Sequence, residues 1–517
     1  MSVWERIRAA VQGFLHPAVA AAQTNYRGAE RSRLWKDWLP NERSGDAAIY
    51  EDYPLLNARL RDLFRNEPLM RKLRCELAKG VIGSEGIQTF AEVMLDDLAP
   101  GQTDVDDKFN DEADDLFELW CEEADAEGKF CWSQLQWQHF YEVTGLGGGL
   151  LVEVWDDNPR RLLPLSYQLI EYDQLDVTKD QPAINGQNRI VRGIEFDRRN
   201  RVVAYHIYDV HPHDNWATTA ASTRVPASRV IHTFFPDRPS QNVGVSLFSA
   251  NVQPAKDLDW YLGNELTAAA IGALFSVMIK RDRGAGSGLG FVGDNASNES
   301  SDSYGNSLAR LGRGILFDGG PNDDVKIIQS GRPNGDASAF IELILRQAGQ
   351  AIGLSLARVT GDYKATSYSA GRAMHLDDEA YFRVLRRWFG YSCVVPVRRR
   401  FTQVAAAMGL FRTVGARQFL KNERRMLRVD CIGVGREQLD PEKETTAAHG
   451  RIRGCTSTYK IECALRGLHY RKVFRQRARE QALLEELGLE PDLSVNGKAA
   501  AEEPDTDTED MRNARAA

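Results

Sequence analysis

The chain is predicted to be an α+β protein, from three observations on the order of its apolar residues. Leu56, Leu60, Leu63 and Phe64, then Leu69, Leu73 and Leu77, recur at helical spacing. Residues 150–235 instead carry short alternating runs such as Leu150-Leu-Val-Glu-Val-Trp155 and Val202–Tyr208, which read as strands. Helical spacing returns at 254–280, 337–353, 369–389, 394–408, 441–453 and 457–488. Strands gathered into one stretch, with helices on both sides, are the α+β pattern; strict strand–helix alternation would instead indicate a parallel sheet.

Each element has a local reason. Pro68 breaks the first helical run or opens a second helix, and the turn Gly80-Val-Ile-Gly-Ser-Glu-Gly86 follows. Between Glu92 and Glu127 stand 15 acidic residues and one basic residue, Lys108, with Leu116, Phe117, Leu119 and Trp120 as an apolar face, so an acidic helix is expected. Residues 130–143 form the next helix, and Gly145-Leu-Gly-Gly-Gly149 turns it into the first strand. The uncharged run Leu266–Ile279 is 14 residues long. That falls short of the roughly 20 residues a membrane crossing needs, so it reads as part of a buried helix over 254–280. Residues 283–306, rich in Gly, Ser, Asn and Asp, form a loop, and 313–328 a short β-like segment ahead of the turn Gly331–Gly335. In the helix over 337–353, Phe340, Ile344 and Ala348 share one face. Residues 383–428 answer the acidic block with 12 basic residues against one acid, Glu423. The first 50 residues read as an arm with Trp35, Trp38 and Pro40, and the segment from Pro491 as a disordered acidic tail.

Composition limits function. At 517 residues the chain has room for about three or four domains. A net charge of −8 does not fit a protein whose affinity comes from neutralising phosphates. Seven cysteines without a Cys-x-x-Cys pair argue against a disulfide framework or a zinc site, and fit a reducing cytoplasm. The charged N-terminal turns do not form a secretory signal.

Catalytic motifs are weak throughout. Gly288-Leu-Gly-Phe-Val-Gly293 spells the dinucleotide fingerprint but leads into a polar loop instead of a helix. No Gly-x-x-x-x-Gly-Lys-Ser/Thr loop occurs, so a P-loop ATPase is not expected. His211-Pro-His213 with Asp214, near His206 and His232, lacks the cysteines and spacing of a structural zinc site, so no metal is expected. Asp111, Glu112, Asp114 and Asp115 could imitate a magnesium-dependent nuclease centre, although acids on a helix more often form a solvated or partner-facing surface. Ser369 is explained as a helix N-cap, without a Gly-x-Ser-x-Gly elbow. No cofactor is expected.

Several segments, in order, resemble the portal proteins of the lambda type among tailed bacteriophages. They are Ala58–Pro68 followed by Val81–Ile87; Val230–Pro239 with Gly244 and Val245; Gly353–Tyr363 continuing through Tyr368-Ser-Ala-Gly-Arg372; and Asp440–Glu444 with Ala447, Gly450 and Gly454. The resemblance spans about residues 55–490 and implies a portal-like fold. Its parts would be a mixed α/β wing (51–253 and 377–440), a two-helix stem (254–280 and 337–353), a small α/β clip (281–336) and a helical C-terminal crown (441–490). A tunnel loop with the start of the next helix would fill 354–376, between the arm (1–50) and the acidic tail (491–517).

The resemblance further implies a non-enzymatic subunit of a dodecameric ring at one capsid vertex, which conducts double-stranded DNA during packaging and ejection. Its partners would be the terminase large subunit, head-completion or connector proteins and the major capsid protein, with no membrane. The place would be the virion, after assembly in the host bacterial cytoplasm. Tunnel-loop residues Asp362, Tyr363, Lys364, Thr366 and Ser367 would face DNA, and clip residues Arg283, Asp302, Tyr304, Arg310 and Arg313 would meet docking partners. The opposed charge blocks suggest pairing of Asp111, Asp114 and Asp115 with Arg398, Arg399 and Arg400, within a subunit or between subunits. The alternatives are a phage-associated metal-dependent nuclease and a scaffold or adaptor without a channel.

Overall fold

A computed structural model describes residues 42–94, 106–184, 186–214, 221–273, 337–363, 367–435 and 440–489, with strand segments at 277–280, 300–301, 307–308 and 324–327. The chain divides into a small unit, residues 1–53 with 236–242, and a large one holding the rest. In the small unit, helix α1 (Gly45–Ile49) is capped by Ser44, whose Oγ accepts from Ala47 N. Asp46 accepts from the backbone and side-chain nitrogens of Asn242 at 2.7 and 2.5 Å.

The large unit begins with α2 (Tyr53–Asn66) and α3 (Pro68–Val81), and Pro68 stands at the first turn of α3, where its missing N–H costs nothing. Strand β1 (Gln88–Ala91) and the acidic helix α4 (Asp107–Cys121) follow. Residues 95–105 of the acidic block lie outside the described residues. Helix α5 (Trp132–Leu146) ends at Gly147, whose φ of +95° lets the chain reverse into β2 (Gly148–Trp155). A Cβ on Gly147 would come within 2.6 Å of the Gly244 carbonyl, so two glycines are needed for the backbones to cross here.

Strand β2 is central in an antiparallel sheet, flanked by β3 (Leu165–Ile170) and later β8. A second sheet is the meander β4 (Arg189–Val191), β5 (Ile194–Phe196), β6 (Val202–Ile207) and β7 (Thr223–Pro226). Strand β8 (Val230–Phe234) then returns to β2, with Leu151 opposite Ile231.

Helix α6 (Val252–Ala273) ends earlier than its apolar run suggests, because Val277–Lys280 is strand β9. Strands β10 (Ser300–Ser301) and β11 (Ser307–Leu308) pair with each other, and β12 (Asp324–Ile327) pairs with β9 in the register Lys280–Asp324. The run is therefore not one buried helix: Leu266 on α6 is 72% exposed, and the β-branched, alternating Val277-Met-Ile-Lys280 takes the strand form. The Gly288–Gly293 motif lies outside the described residues. Among them, no helix is long and apolar enough to cross a membrane.

Helices α7 (Ala337–Ala351), α8 (Leu356–Thr360) and α9 (Tyr368–Phe389) follow. A π-helical turn, Gly390–Val394, joins α9 to α10 (Val395–Ala407), so two expected helices run on as one rod. Gly390 admits this turn, since a Cβ there would press on Cys431 Sγ at 2.8 Å. Helices α11 (Ala416–Lys421) and α12 (Glu423–Met426) lead to β13 (Val429–Ile432), which pairs with β1 from the opposite end of the unit. Three helices close the described chain: α13 (Pro441–Arg453), α14 (Tyr459–Leu465) and α15 (Tyr470–Glu486). The single helix expected over 457–488 is split at Gly467, whose φ is +73°. The core lies where α3, α4, α5, β2, α9 and α10 meet. At its centre Trp120 is fully buried and donates through Nε1 to the Leu165 carbonyl at 2.8 Å.

Candidate functional site

The sequence directs attention to the loop between α8 and α9, and local chemistry fixes both of its ends. Helix α8 stops at Gly361, where φ is +74° and the amide donates to the Ala357 carbonyl at 2.7 Å. The Asp362 amide then donates to Thr360 Oγ1 at 3.1 Å. At the far end Ser367 is the N-cap of α9: its Oγ accepts from Ala370 N at 3.3 Å and its carbonyl from Gly371 N. The cap is thus Ser367 and not Ser369, because only a residue one step before the first helical turn can turn its hydroxyl back on the free amides. Asp362 is exposed and Tyr363 is 59% exposed, while Lys364 and Thr366 lie outside the described residues.

Beneath the loop, a buried carboxylate clamps α8 to α9. Asp378, 3% exposed on α9, accepts from the Ser355 amide and hydroxyl at 2.8 Å each and from Arg358 Nε at 3.1 Å. The Arg358 guanidinium also meets Glu76 of α3 at 3.5 Å and lies over the Phe382 ring at 5.1 Å. One turn on, Arg386 binds Glu379 at 2.6 and 2.9 Å and the Gly80 carbonyl at 2.6 and 2.8 Å. A hydrogen bond from Lys79 to Glu76 raises the Lys79 amine above its usual range. These groups border a cleft of about 560 Å³ that also reaches Tyr363, Ser367 and Tyr368. None of this clamp was singled out from the sequence. Charged residues on a helix carry no sign of a partner 23 or 282 positions away.

Of the opposed charges, Asp114 and Arg398 meet within the chain, while Arg399, Arg400 and Asp111 have other partners. Asp114 and Arg398 form a buried pair at 2.5 Å, with Arg398 fully buried and 4.3 Å from the Phe117 ring. This pair belongs to the subunit's core, and a side chain with no exposure cannot reach a neighbouring subunit. Burial pushes the Asp114 carboxyl up to about 6, against the opposing pull of Arg398. Arg400 binds Glu153 at both oxygens, 2.8 Å each, and Arg399 is exposed beside the Leu427 carbonyl. The exposed acids of α4 meet a different partner, helix α15: Arg471 pairs with Asp107 at 2.6 Å, Lys472 with Glu118 at 2.5 Å, and Arg475 with Asp111. Positions 471, 472 and 475 face one side of a helix, a signal present in the sequence but without an address.

Among the described residues, neither metal reading gains a complete centre. His211 Nε2 lies 3.3 Å from Glu171 and 3.5 Å from Asp173, the one group of three possible ligands among the described residues. However, Arg61 already donates to Asp173 Oδ2, so a cationic group sits in the trio. His206 is buried near Glu195, and Tyr172 Oη meets His232 Nε2 at 2.8 Å. The clip residues Arg283, Asp302, Tyr304, Arg310 and Arg313 lie outside the described residues.

Comparison with known proteins gives these observations a setting. Residues 31–386 match the family model described as phage portal protein, lambda family. The chain is 24% identical over 505 residues to a probable portal protein of Halomonas phage phiHAP-1, covering 95% of this chain and 93% of that one. It is 24% identical to the portal protein of Escherichia phage N15 (93% and 94% covered) and 23% identical to portal protein B of Escherichia phage lambda (88% and 89%). Among solved structures, it aligns with a chain of the virion of a native gene transfer agent particle at 13% identity and a TM-score of 0.41, covering 81% of this chain and 94% of that one.

Proposed function

The chain belongs to the lambda family of phage portal proteins, and on that premise we propose that its copies close into a dodecameric ring at one capsid vertex, through which double-stranded DNA enters and leaves. The observation that carries this reading is the family match over 31–386, with relatives named portal proteins aligned along nearly the whole chain. In this reading residues 51–253 and 377–440 form the wing, α6 and α7 the stem, 281–336 the clip and 441–490 the crown. The ring is structural, works in the virion, is assembled in the host cytoplasm, and turns over no substrate. Terminase, head-completion proteins and the major capsid protein dock around it.

Two physical features support the assignment. Helices α6 and α7 meet through Tyr261 and Phe340, ring centroids 5.0 Å apart, yet Trp260 is 71% exposed, as Leu262, Leu266 and Leu343 are also in large part. Apolar stripes of this kind on a helix pair call for a further surface, and head-to-tail packing of identical pairs supplies one that closes into a ring. The loop from Gly361 to Ser367 is anchored at both ends, and its sequence carries one lysine and hydroxyls. Such a loop touches phosphates without gripping them, and a net charge of −8 keeps DNA from adhering to the conduit.

Negative-stain electron microscopy with mass determination on the purified full chain tests this. The expected result is a ring with a central hole and about twelve-fold mass; a compact monomer that resists assembly at high concentration overturns it.

A further inference from the structure

Residues 412–428 present a cationic surface that the reading above does not use. Phe411, Val414, Phe419 and Met426 are buried and anchor this stretch against the core. That leaves Arg412, Arg417, Lys421, Arg424, Arg425 and Arg428 exposed along α11, α12 and the residues that flank them. The only acid among them, Glu423, is engaged by Gln403 at 2.6 Å. Among the described residues, Arg417, Lys421 and Arg424 form no ion pair, whereas Arg386, Arg398 and Arg400 of the same basic block each bind a carboxylate.

We propose that the acidic C-terminal segment of this chain, residues 502–510, docks on this cationic surface and screens it from other polyanions. Charge is the first argument. Residues 499–511 carry six acids (Glu502, Glu503, Asp505, Asp507, Glu509 and Asp510) and no base, opposite in sign to the exposed Arg417, Lys421 and Arg424. Reach is the second. Arg475 of α15 pairs with Asp111, and the adjacent Glu112 accepts from the Arg412 and Thr413 amides at 2.7 and 3.1 Å, so the middle of α15 lies beside the edge of the surface. From there to Leu489 is about 20 Å of helix, and the stretch from 490 to 502 extends up to about 40 Å.

The tethered segment also has an advantage over any free polyanion. Being covalently joined to the surface through about a dozen residues, it acts at an effective concentration of about a millimolar, well above that of most competing ligands. Exposed cations without ion pairs, such as Arg417, Lys421 and Arg424, would bind duplex DNA without sequence preference, a poor property for a protein that DNA must pass. The inference does not depend on ring formation, because contact and screening can both be read on the chain in any oligomeric state.

Zero-length carbodiimide coupling of the full chain, mapped by mass spectrometry, tests the contact. Lys421 is the one lysine of the surface, and it is expected to couple to carboxylates within 502–510 at about 0.05 M salt and to lose this at about 1 M, where the screening length falls to about 3 Å. Fluorescence anisotropy with a 20-bp duplex tests the screening. A chain ending at Glu490 is expected to bind the duplex on the order of tenfold more tightly than the full chain at low salt, and adding Arg417→Glu and Arg424→Glu to it should abolish the gain. Equal duplex affinity with and without the segment would overturn the proposal, and so would coupling of Lys421 only to carboxylates outside it. Replacing the six acids by Asn and Gln leaves every described residue in place and should reproduce the truncation; failure to do so counts against the proposal equally.

Discussion

His139 offers a stability test with a calculable slope. Its side chain is fully buried on α5, 5.7 Å from the Phe389 ring and packed over Gly149, and neither ring nitrogen has a hydrogen-bond partner. Burial lowers its pKa to about 3, and the nearby His232 adds to the effect. The unfolded chain takes up a proton near the ordinary value of 6.5, and the folded chain refuses it. The stability this represents is therefore intact above pH 6.5 and is lost as pH falls toward 3. Between pH 7 and pH 5 the loss from this one group is about 2 kcal/mol, from the shift between 6.5 and about 3. The perturbation is His139→Leu, which keeps the volume and removes both unpaired nitrogens. Urea midpoints at pH 7 and pH 5, taken for parent and variant, give the difference free of other titrating groups, including His232 and His469, which both chains share. The variant should be about as stable as the parent at pH 7 and should lose about 2 kcal/mol less on acidification. Identical losses in the two chains would refute the reasoning.

Three further substitutions probe the frame around the loop and the core. Arg398→Ala removes the cation that offsets the burial of Asp114 and should cost about 3–5 kcal/mol in denaturant unfolding; the double variant Arg398→Met with Asp114→Asn should recover most of that, and a single variant as stable as the parent would remove the pair from the core's account. Asp378→Asn weakens the charge-assisted bonds to Ser355 and Arg358, so amide exchange over 355–363 should quicken by the equivalent of about 1.5–3 kcal/mol while the sheet amides stay protected. Gly361→Val forces a β-branched residue to a φ of +74° at a strain of about 1–2 kcal/mol, which limited proteolysis should register as faster cleavage between 361 and 367 with little change in the global midpoint.

Much of the fold was legible from the sequence, because helices and hairpins are decided by neighbours. The alternation in Leu150–Trp155 was enough for β2, and Ile344 and Ala348 are buried on α7 as their spacing demands. Phe340 of the same stripe is largely exposed, since periodicity shows which residues share a face but not how far the covering surface extends. Local pattern failed at Leu266–Ile279, where an apolar run long enough for either form was divided between α6 and β9. It also could not see that β1 pairs with β13 across more than 300 positions, or that a π turn would fuse two helices into a rod.

The charge blocks show why the candidate site was harder to read than the fold. Opposite charge in two segments predicts attraction, but burial decides its meaning. Arg398 has Phe117 against its face and no exposure, so its bond to Asp114 fixes how α10 packs on α4 and nothing outside the subunit. Lys472 and Arg475 lie at the surface, where single ion pairs contribute only about 0–1 kcal/mol each, and Arg471 beside them is more deeply set. Three along one helix face nonetheless set where α15 rests on α4. The cations at 417, 421 and 424 complete the series: they are exposed and form no ion pair among the described residues. The same residue type thus secures the core at Arg398, seats a helix at Arg471 and Arg475 and leaves a surface free for a partner at Arg417 and Arg424. Only the positions of Phe117, α15 and the buried Phe419 distinguish these roles, and all three are set by contacts far apart in the chain.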